Sequence, residues 1–264
     1  MFQKIGFIGC GNMGSAVAKA VSKSGGYEKI YLANRTAQKA QALARELTDA
    51  IVTDNATAAR ECDLLFLAVK PQMMKGVLEG LPIKEGAVLC TMAAGLTMET
   101  ILDMAGVSRP ILRIMPNTPC AIGKGVVQYC AKDVSDADKA EFGRLMTPCG
   151  IVEAIEERLI DAASAVSGCG PAFAYLFMEA LADGGVACGL PRDKAMKFAA
   201  GMLEGAAALA LETGKHPGAL KDAVCSPGGT TIQGVRTLEE RGFRGAVMDS
   251  VIAAYEKTAQ LKKG

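Results

Sequence analysis

The sequence predicts a doubly wound, parallel α/β domain over residues 1–156, followed by an all-helical domain over 157–264. Three observations predict it. Short apolar runs alternate with amphipathic helical segments through the first half of the chain. A glycine turn, Gly9-Cys10-Gly11-Asn12-Met13-Gly14, joins the first of those runs to the first helix. From about Glu157 strand patterns stop, and long segments rich in Ala, Leu and Met take over.

The elements follow in order. Ile5–Ile8 reads as a strand, and Asn12–Ser24 as a helix with small packing residues at Ala16, Ala18 and Ala20. Ile30–Ala33 is the second strand. Thr36–Leu47 is helical, with Thr36 as its N-cap. Leu64–Val69 is apolar throughout, as a strand covered on both faces should be, and Pro71 opens the next helix. Ala87–Cys90 and Ile111–Ile114 continue the series; Gly125–Cys130 and Cys149–Val152 add edge strands around the helix Asp136–Met146. In the second half, helices are expected over Pro171–Val186, Pro191–Thr213 and Gly245–Leu261. Ala199–Leu211 has so little polar face that it must be buried, and a domain this small cannot cover such helices alone. The expected solution is a second copy of the chain.

Composition narrows the function. Half of the 264 residues are hydrophobic, and the net charge is +1, from 29 basic and 28 acidic residues with no basic block, so nucleic acid is not an expected partner. Nine scattered cysteines without a CxxC pair, and a single histidine, argue against a zinc site and a disulfide framework. No apolar run is expected to span a bilayer, and the N-terminus enters a strand directly, so a soluble cytoplasmic protein is expected.

Within the glycine turn, Gly9 allows the tight bend, Gly11 lets a pyrophosphate approach, and Gly14 lets the helix pack on the strand. The cofactor class follows from the end of the second strand. An enzyme using NAD usually carries Asp or Glu there for the ribose 2′-hydroxyl. Asn34-Arg35-Thr36 has no carboxylate, and Arg35 can pair with a 2′-phosphate, so NADPH is expected over NADH. Ala68-Val69-Lys70-Pro71 ends the apolar strand, where ligands bind in open α/β sheets; Lys70 could face a phosphate, a ribose or a substrate anion, or be solvated. Met92-Ala93-Ala94-Gly95 follows the next strand, and its small residues suit a flat nicotinamide or ribose.

A second chemical signal lies at Val224–Gly234. Pro227 and Gly228-Gly229 break the chain before a helix marked by Ile232, Val235 and Leu238. The unpaired N–H groups of that helix start can seat a small carboxylate, with the hydroxyls of Ser226, Thr230 and Thr231 beside it. The same pattern also describes a well-capped helix without a ligand. His216, before Pro217, reads as a helix-start or packing residue rather than a general acid, and Ser167-Gly168-Cys169-Gly170-Pro171 as a packing segment. Glu157 lies in the acidic cluster Glu153–Arg158, of a kind that is usually solvated.

Together these pieces resemble the Δ1-pyrroline-5-carboxylate reductase family. The resemblance covers nearly the whole chain. It rests on Phe7–Gly14, Phe66–Pro71, Arg113-Ile114-Met115-Pro116-Asn117-Thr118-Pro119, Ser167–Ala172 and, most specifically, Lys221–Thr231. It implies a Rossmann-type N-terminal domain and an all-α C-terminal dimerisation domain of the 6-phosphogluconate dehydrogenase-like type. It implies a homodimer whose dimers can assemble further, up to a decameric arrangement, and reduction of pyrroline-5-carboxylate to L-proline by NADPH, or NADH. By position, Ile8, Gly9, Cys10, Gly11, Asn12, Met13, Asn34, Arg35, Asn55, Ala68, Val69, Lys70, Pro71, Met92, Ala93 and Ala94 would line the cofactor. Ser226, Gly229, Thr230 and Thr231 would hold the substrate carboxylate and imine, and Glu157 matches a substrate-contacting position. Thr231 is the implied catalytic residue, orienting or relaying a proton at the imine nitrogen, unless the imine binds already protonated. Ala223 departs from relatives that carry Asn there, which leaves one cofactor contact in doubt. Reductases of a six-membered cyclic imine are an alternative. The β-hydroxyacid dehydrogenases, which share the glycine turn, need a lysine where this chain has Ala174.

Overall fold

The computed structural model describes residues 1–261, so the last three residues of the expected helical domain lie outside the described residues. The first compact unit contains Met1–Cys169, with residues of the C-terminal segment from Ala254; the second contains Gly170–Ala253.

In the first unit, β1 (Lys4–Ile8), β2 (Lys29–Ala33), β3 (Ala50–Thr53), β4 (Leu64–Leu67), β5 (Val88–Thr91) and β6 (Ile111–Pro116) are parallel. β7 (Gly125–Lys132) runs antiparallel to β6, and β8 (Gly150–Ala154) parallel to β7. The sheet order is β3-β2-β1-β4-β5-β6-β7-β8. Strand order reverses between β1 and β4, and in such sheets the crevice beyond the carboxyl ends at that point is where ligands bind. The helices are α1 (Asn12–Ser24), α2 (Ala37–Ala44), α3 (Asn55–Glu61), α4 (Pro71–Leu78), α5 (Met98–Ala105), α6 (Asp136–Met146) and α7 (Ile160–Ser167).

The two faces of the sheet carry separate apolar clusters, as the two-residue period of a strand requires. Phe7, Phe66, Cys90 and Leu112 point to one face with Val17 and Val21 of α1. Ile8, Leu65, Leu67 and Leu89 point to the other, with Met74 of α4 and Ile101 of α5. Phe7 and Phe66 are register partners on β1 and β4, and their rings stack 4.5 Å apart. That pair fixes the two central strands on either side of the switch point.

Differences from the sequence expectation are local. β3 and α3 were not expected. β3 is a four-residue edge strand with Ile51 and Val52 partly exposed, so it lacks the buried run that marks its neighbours. α3 has only seven residues; its signal is Asp54, whose side chain accepts from the Thr57 N–H. α2 stops at Ala44 rather than Leu47, and Thr36 sits at its N-cap without a side-chain cap bond. β4 stops at Leu67, because Ala68–Lys70 turn into α4. β7 lies inside the sheet, between β6 and β8.

The second unit contains α8 (Gly170–Ala187), α9 (Arg192–Thr213), α10 (Pro217–Val224) and α11 (Thr230–Glu240), and α12 (Phe243–Leu261) begins in it. Its burial is sparse. Only Ala182, Ala195 and Ala199 are buried apolar residues there, while Leu176 is 69% exposed and Phe198 58%. Phe173, Phe177, Leu181, Leu238 and Val247 line an apolar groove of about 590 Å³, in which the Phe177 and Phe243 rings meet at 5.6 Å. By length and composition Glu157–Ala187 could cross a membrane, which corrects the expectation that no run could. Only 11% of that window is buried, so an apolar surface needing cover takes the place of a packed one. His216 is the N-cap of α10, and its Nδ1 accepts from the Gly218 N–H at 3.1 Å, in keeping with a helix-start role.

Candidate functional site

The cleft beyond the carboxyl ends of β1 and β4 has a volume of about 790 Å³. Ile8, Gly9, Gly11, Asn34, Arg35, Asn55, Ala68, Val69 and Lys70 line it, all of them sequence-expected. Thr36, Lys39, Asp54, Ala56, Met73 and Val77 line it as well, and the sequence reading does not include them. Lys39 lies in α2, four residues after Arg35, and is a second cation lining the cleft beside the end of β2. Asp54 is a carboxylate in the cleft wall, but its oxygens are engaged. The N–H and hydroxyl of Thr57 hold its carboxyl below the usual range.

The three glycines of the turn have separable tasks. Gly9 has φ +107°, and a Cβ there would lie 2.5 Å from the Ala68 carbonyl oxygen. A Cβ on Gly14 would lie 2.2 Å from the Gly9 carbonyl oxygen, so α1 rests directly on the turn. A Cβ on Gly11 would meet no protein atom within 4 Å. The first two glycines are therefore needed by the fold, and the third faces open space in the cleft. A dinucleotide fits this arrangement. The Gly11 side admits a pyrophosphate at the start of α1, whose first N–H groups have no side-chain cap.

Asn34 ties the turn to the second strand: its Oδ1 accepts from the Cys10 N–H at 2.9 Å and its Nδ2 donates to the Thr36 carbonyl at 2.9 Å. The Cys10 thiol donates to the Ala33 carbonyl at 3.7 Å, and burial pushes it up to about 11. It is thus neutral at ordinary pH and adds no negative charge beside the phosphate seat. Asn12 and Met13 form the first turn of α1, and Pro71 occupies the first position of α4; like Cys10 and Gly14, they are not part of the cleft wall. Met92, Ala93 and Ala94 are also outside that wall, but adjoin it. The Met92 N–H donates to the Leu67 carbonyl at 3.3 Å, and the Ala93 N–H to Thr91 Oγ1 at 3.3 Å.

The Ser226–Thr231 segment lies in the second unit. Gly228 has φ +70°, and α11 begins at Thr230 with Gly229 as its N-cap and no side-chain cap bond. The Gly229 N–H donates to the Ser226 carbonyl at 3.0 Å, so the uncapped N–H groups are those from Thr230 onward. A Cβ at Gly229 would lie 2.4 Å from Ser226 Oγ, so a larger residue there would make the Ser226 hydroxyl rotate away. Ser226, Thr230 and Thr231 are exposed.

The chain matches the family model described as pyrroline-5-carboxylate reductase dimerisation over residues 157–261, and the one described as NADP oxidoreductase, coenzyme F420-dependent, over residues 4–95. The pyrroline-5-carboxylate reductase of Escherichia coli K12 is 40% identical over 268 residues, covering all of both chains. This chain belongs to the pyrroline-5-carboxylate reductase family. The reductase of Methanosarcina acetivorans is 40% identical over 99% of this chain and 98% of its own. Among solved structures, pyrroline carboxylate reductase of Plasmodium falciparum with NADP bound has a TM-score of 0.88 at 34% identity, covering 98% of each chain. The reductase from Streptococcus pyogenes has a TM-score of 0.89 at 31% identity, covering 97% of this chain and 98% of that one. The family assignment fixes three expectations: a Rossmann-type first half, a helical second half that self-associates, and a nicotinamide cofactor. Its dimerisation segment coincides with the poorly covered helices of the second unit.

Glu157 is held by partners far from its own acidic cluster. Its Oε1 accepts from the Met98 N–H at 2.8 Å and faces Arg113 Nη1 at 3.4 Å. Arg113, on β6, is fully buried and pairs through Nη2 with Asp161 Oδ1 at 2.5 Å. The Arg113–Pro119 motif also supplies Asn117, whose Oδ1 accepts from the Val126 N–H at 2.9 Å and whose Nδ2 donates to the Ser167 carbonyl at 3.0 Å. The motif is thus tied into the sheet and α7.

Proposed function

We propose that this chain reduces Δ1-pyrroline-5-carboxylate to L-proline, the last step of proline formation, with NADPH preferred over NADH. The observation that carries the reading is the uncapped start of α11, with glycines before it and hydroxyls on it, inside a chain 40% identical end to end to named reductases of this substrate. The bound nicotinamide would supply the hydride. The chain's own residues do the rest. The N–H groups from Thr230 onward hold the substrate carboxylate at the positive end of the helix. Gly229 keeps the approach open, and the Ser226 hydroxyl lines it. The family resemblance also assigns Glu157 to the substrate, but its bonds to the Met98 N–H and Arg113 favour a positioning role.

The Thr231 hydroxyl hydrogen-bonds the imine nitrogen, where charge changes as hydride reaches the neighbouring carbon. A threonine is a weak acid, so Thr231 orients or relays a proton rather than generating one. NADPH preference rests on Arg35 and Lys39 beside a β2 end without a carboxylate of its own. Gly9, Gly11 and Asn34 seat the dinucleotide. Lys70 adds positive charge at the end of β4, and Met92–Ala94 offer a flat, small-residue floor to the nicotinamide end. The working form is a homodimer in the cytoplasm, with higher assembly of dimers such as a decamer, and the dimerisation and substrate-binding region runs from residue 157, ahead of the division of the compact units at Cys169 and Gly170.

The test is loss of NADPH absorbance on addition of pyrroline-5-carboxylate, with proline identified as product. Thr231→Ala is expected to lower kcat by about 10–100-fold, the worth of one hydrogen bond to a charged group, with NADPH binding unchanged. Unaltered turnover in that variant would remove Thr231 from the mechanism.

A further inference from the structure

The loop between β5 and α5 is held at both ends. At its start, Thr91 Oγ1 accepts from the Ala93 N–H, and the Met92 N–H reaches the Leu67 carbonyl. Gly95 turns the chain with φ +77°. At its end, Thr97 caps α5 by accepting from the Thr100 N–H at 3.1 Å, and Glu157 accepts from the Met98 N–H at 2.8 Å. The Glu157 carboxylate therefore sits on the first N–H of a helix, where negative charge is favoured.

What holds Glu157 there is Arg113. Arg113 is the register partner of Thr91, so the cation is anchored beside the strand that feeds the same loop. The guanidinium is fully buried between Asp161 and Glu157, and its Nε has no hydrogen-bond partner among the described residues. A buried guanidinium with one donor unmet depends strongly on the carboxylates it has. It fixes Glu157 in place, and Glu157 fixes the far end of the loop.

We infer that Glu157 is a positioning residue for the nicotinamide half of the cofactor: held by Arg113, it clamps the Met98 N–H and so sets the Met92–Gly95 loop. The inference rests on the reading that the cleft takes NADPH. It differs from a direct contact between Glu157 and substrate, and the two make opposite predictions.

The experiment measures equilibrium binding, with no turnover, of NADPH and of adenosine 2′,5′-bisphosphate, which carries the phosphate-bearing adenosine end but no nicotinamide. Glu157→Ala is expected to weaken NADPH binding by about 5–10-fold, the loss of one helix-start cap, and to leave adenosine 2′,5′-bisphosphate unchanged. Glu157→Gln keeps an oxygen for both the Met98 N–H and Arg113, whose shorter ion pair to Asp161 remains, and is expected to bind both ligands within twofold of the parent. Amide exchange should speed up at residues 92–98 in the Ala variant and not in the Gln variant. Equal weakening of both ligands would mean a general loss of structure and overturn the inference. Unchanged NADPH binding with a raised KM for pyrroline-5-carboxylate in both variants would overturn it in favour of substrate contact. If the parent does not turn over pyrroline-5-carboxylate, the binding arms still decide the role of Glu157, so the two failures are distinguishable.

Discussion

Replacing Gly11 and Gly14 separately by alanine should divide the cost of the glycine turn between ligand and fold. At Gly14 the added methyl would lie 2.2 Å from the Gly9 carbonyl oxygen and 3.0 Å from the Ala68 Cβ. Carbon–oxygen contact needs more than 3 Å, and the obstacle is backbone, so α1 must move by about 1 Å from the turn it rests on. Overpacking of this kind costs about 1–3 kcal/mol, and a backbone obstacle puts Gly14→Ala at about 2–3 kcal/mol. For a domain of this size that is a fall in Tm of about 4–12 °C. At Gly11 the methyl would meet nothing within 4 Å, and φ is −79°, which alanine adopts freely. Alanine is a poorer N-cap than glycine but restricts the unfolded chain, and the two effects of below about 1 kcal/mol oppose each other. Gly11→Ala should therefore melt within about 2 °C of the parent. Its methyl would occupy the space assigned to pyrophosphate, so NADPH binding should weaken by about 100-fold, near the upper end of what one charge-assisted hydrogen bond is worth. The assays are thermal melting without cofactor and fluorescence titration with NADPH. A Gly11→Ala protein that binds NADPH within threefold of the parent would refute the placement of the cofactor, and an unshifted Gly14→Ala melt would refute the packing argument.

Arg35→Ala should raise the KM for NADPH about 10–100-fold and leave that for NADH within twofold, since only the former carries the 2′-phosphate; steady-state rates with both cofactors check it. Leu176→Asp combined with Phe198→Asp should convert the protein to a monomer by sedimentation velocity, because both side chains lie exposed on the uncovered helices and a charge cannot be buried there unpaired. Stability should decline as pH rises above about 9. Burial pushes the Cys10 thiol up to about 11 and Cys62 up to about 12 from the ordinary 9.0. Groups raised in this way favour the fold fully below pH 9; the unfolded thiols then ionise first, and the contribution is lost as pH climbs to 11–12. Urea midpoints across that range check the direction, with a Cys10→Ala, Cys62→Ala protein showing a flatter fall.

Much of the first unit could be read from the chain because β1, β4, β5 and β6 are buried almost throughout, so their sequences are mostly apolar, and wholly so in β4. β3 escaped notice because it lies at the edge, where Ile51 and Val52 are part-exposed and no run forms. Asn55 and Asp54 belong to a short helix whose signal is a single capping bond, so that wall of the cleft was hard to see from pattern alone. The roles of Gly9, Gly11 and Gly14 were legible as a motif, but which of them serves the fold and which faces open space needed distances to neighbouring atoms. Glu157 illustrates the deepest gap. Its partners Met98 and Arg113 are 59 and 44 positions away, and nothing in a local acidic cluster points to either.

The sparse interior of the second unit has a consequence for how the protein lives at different abundances. Helices that shed water only by meeting a twin make folding a second-order event, so newly made molecules at low copy number would spend longer with sticky flanks unshielded. Melting temperature should then climb with dose, and a surplus of crippled but association-competent subunits could poison healthy ones by claiming them as mates.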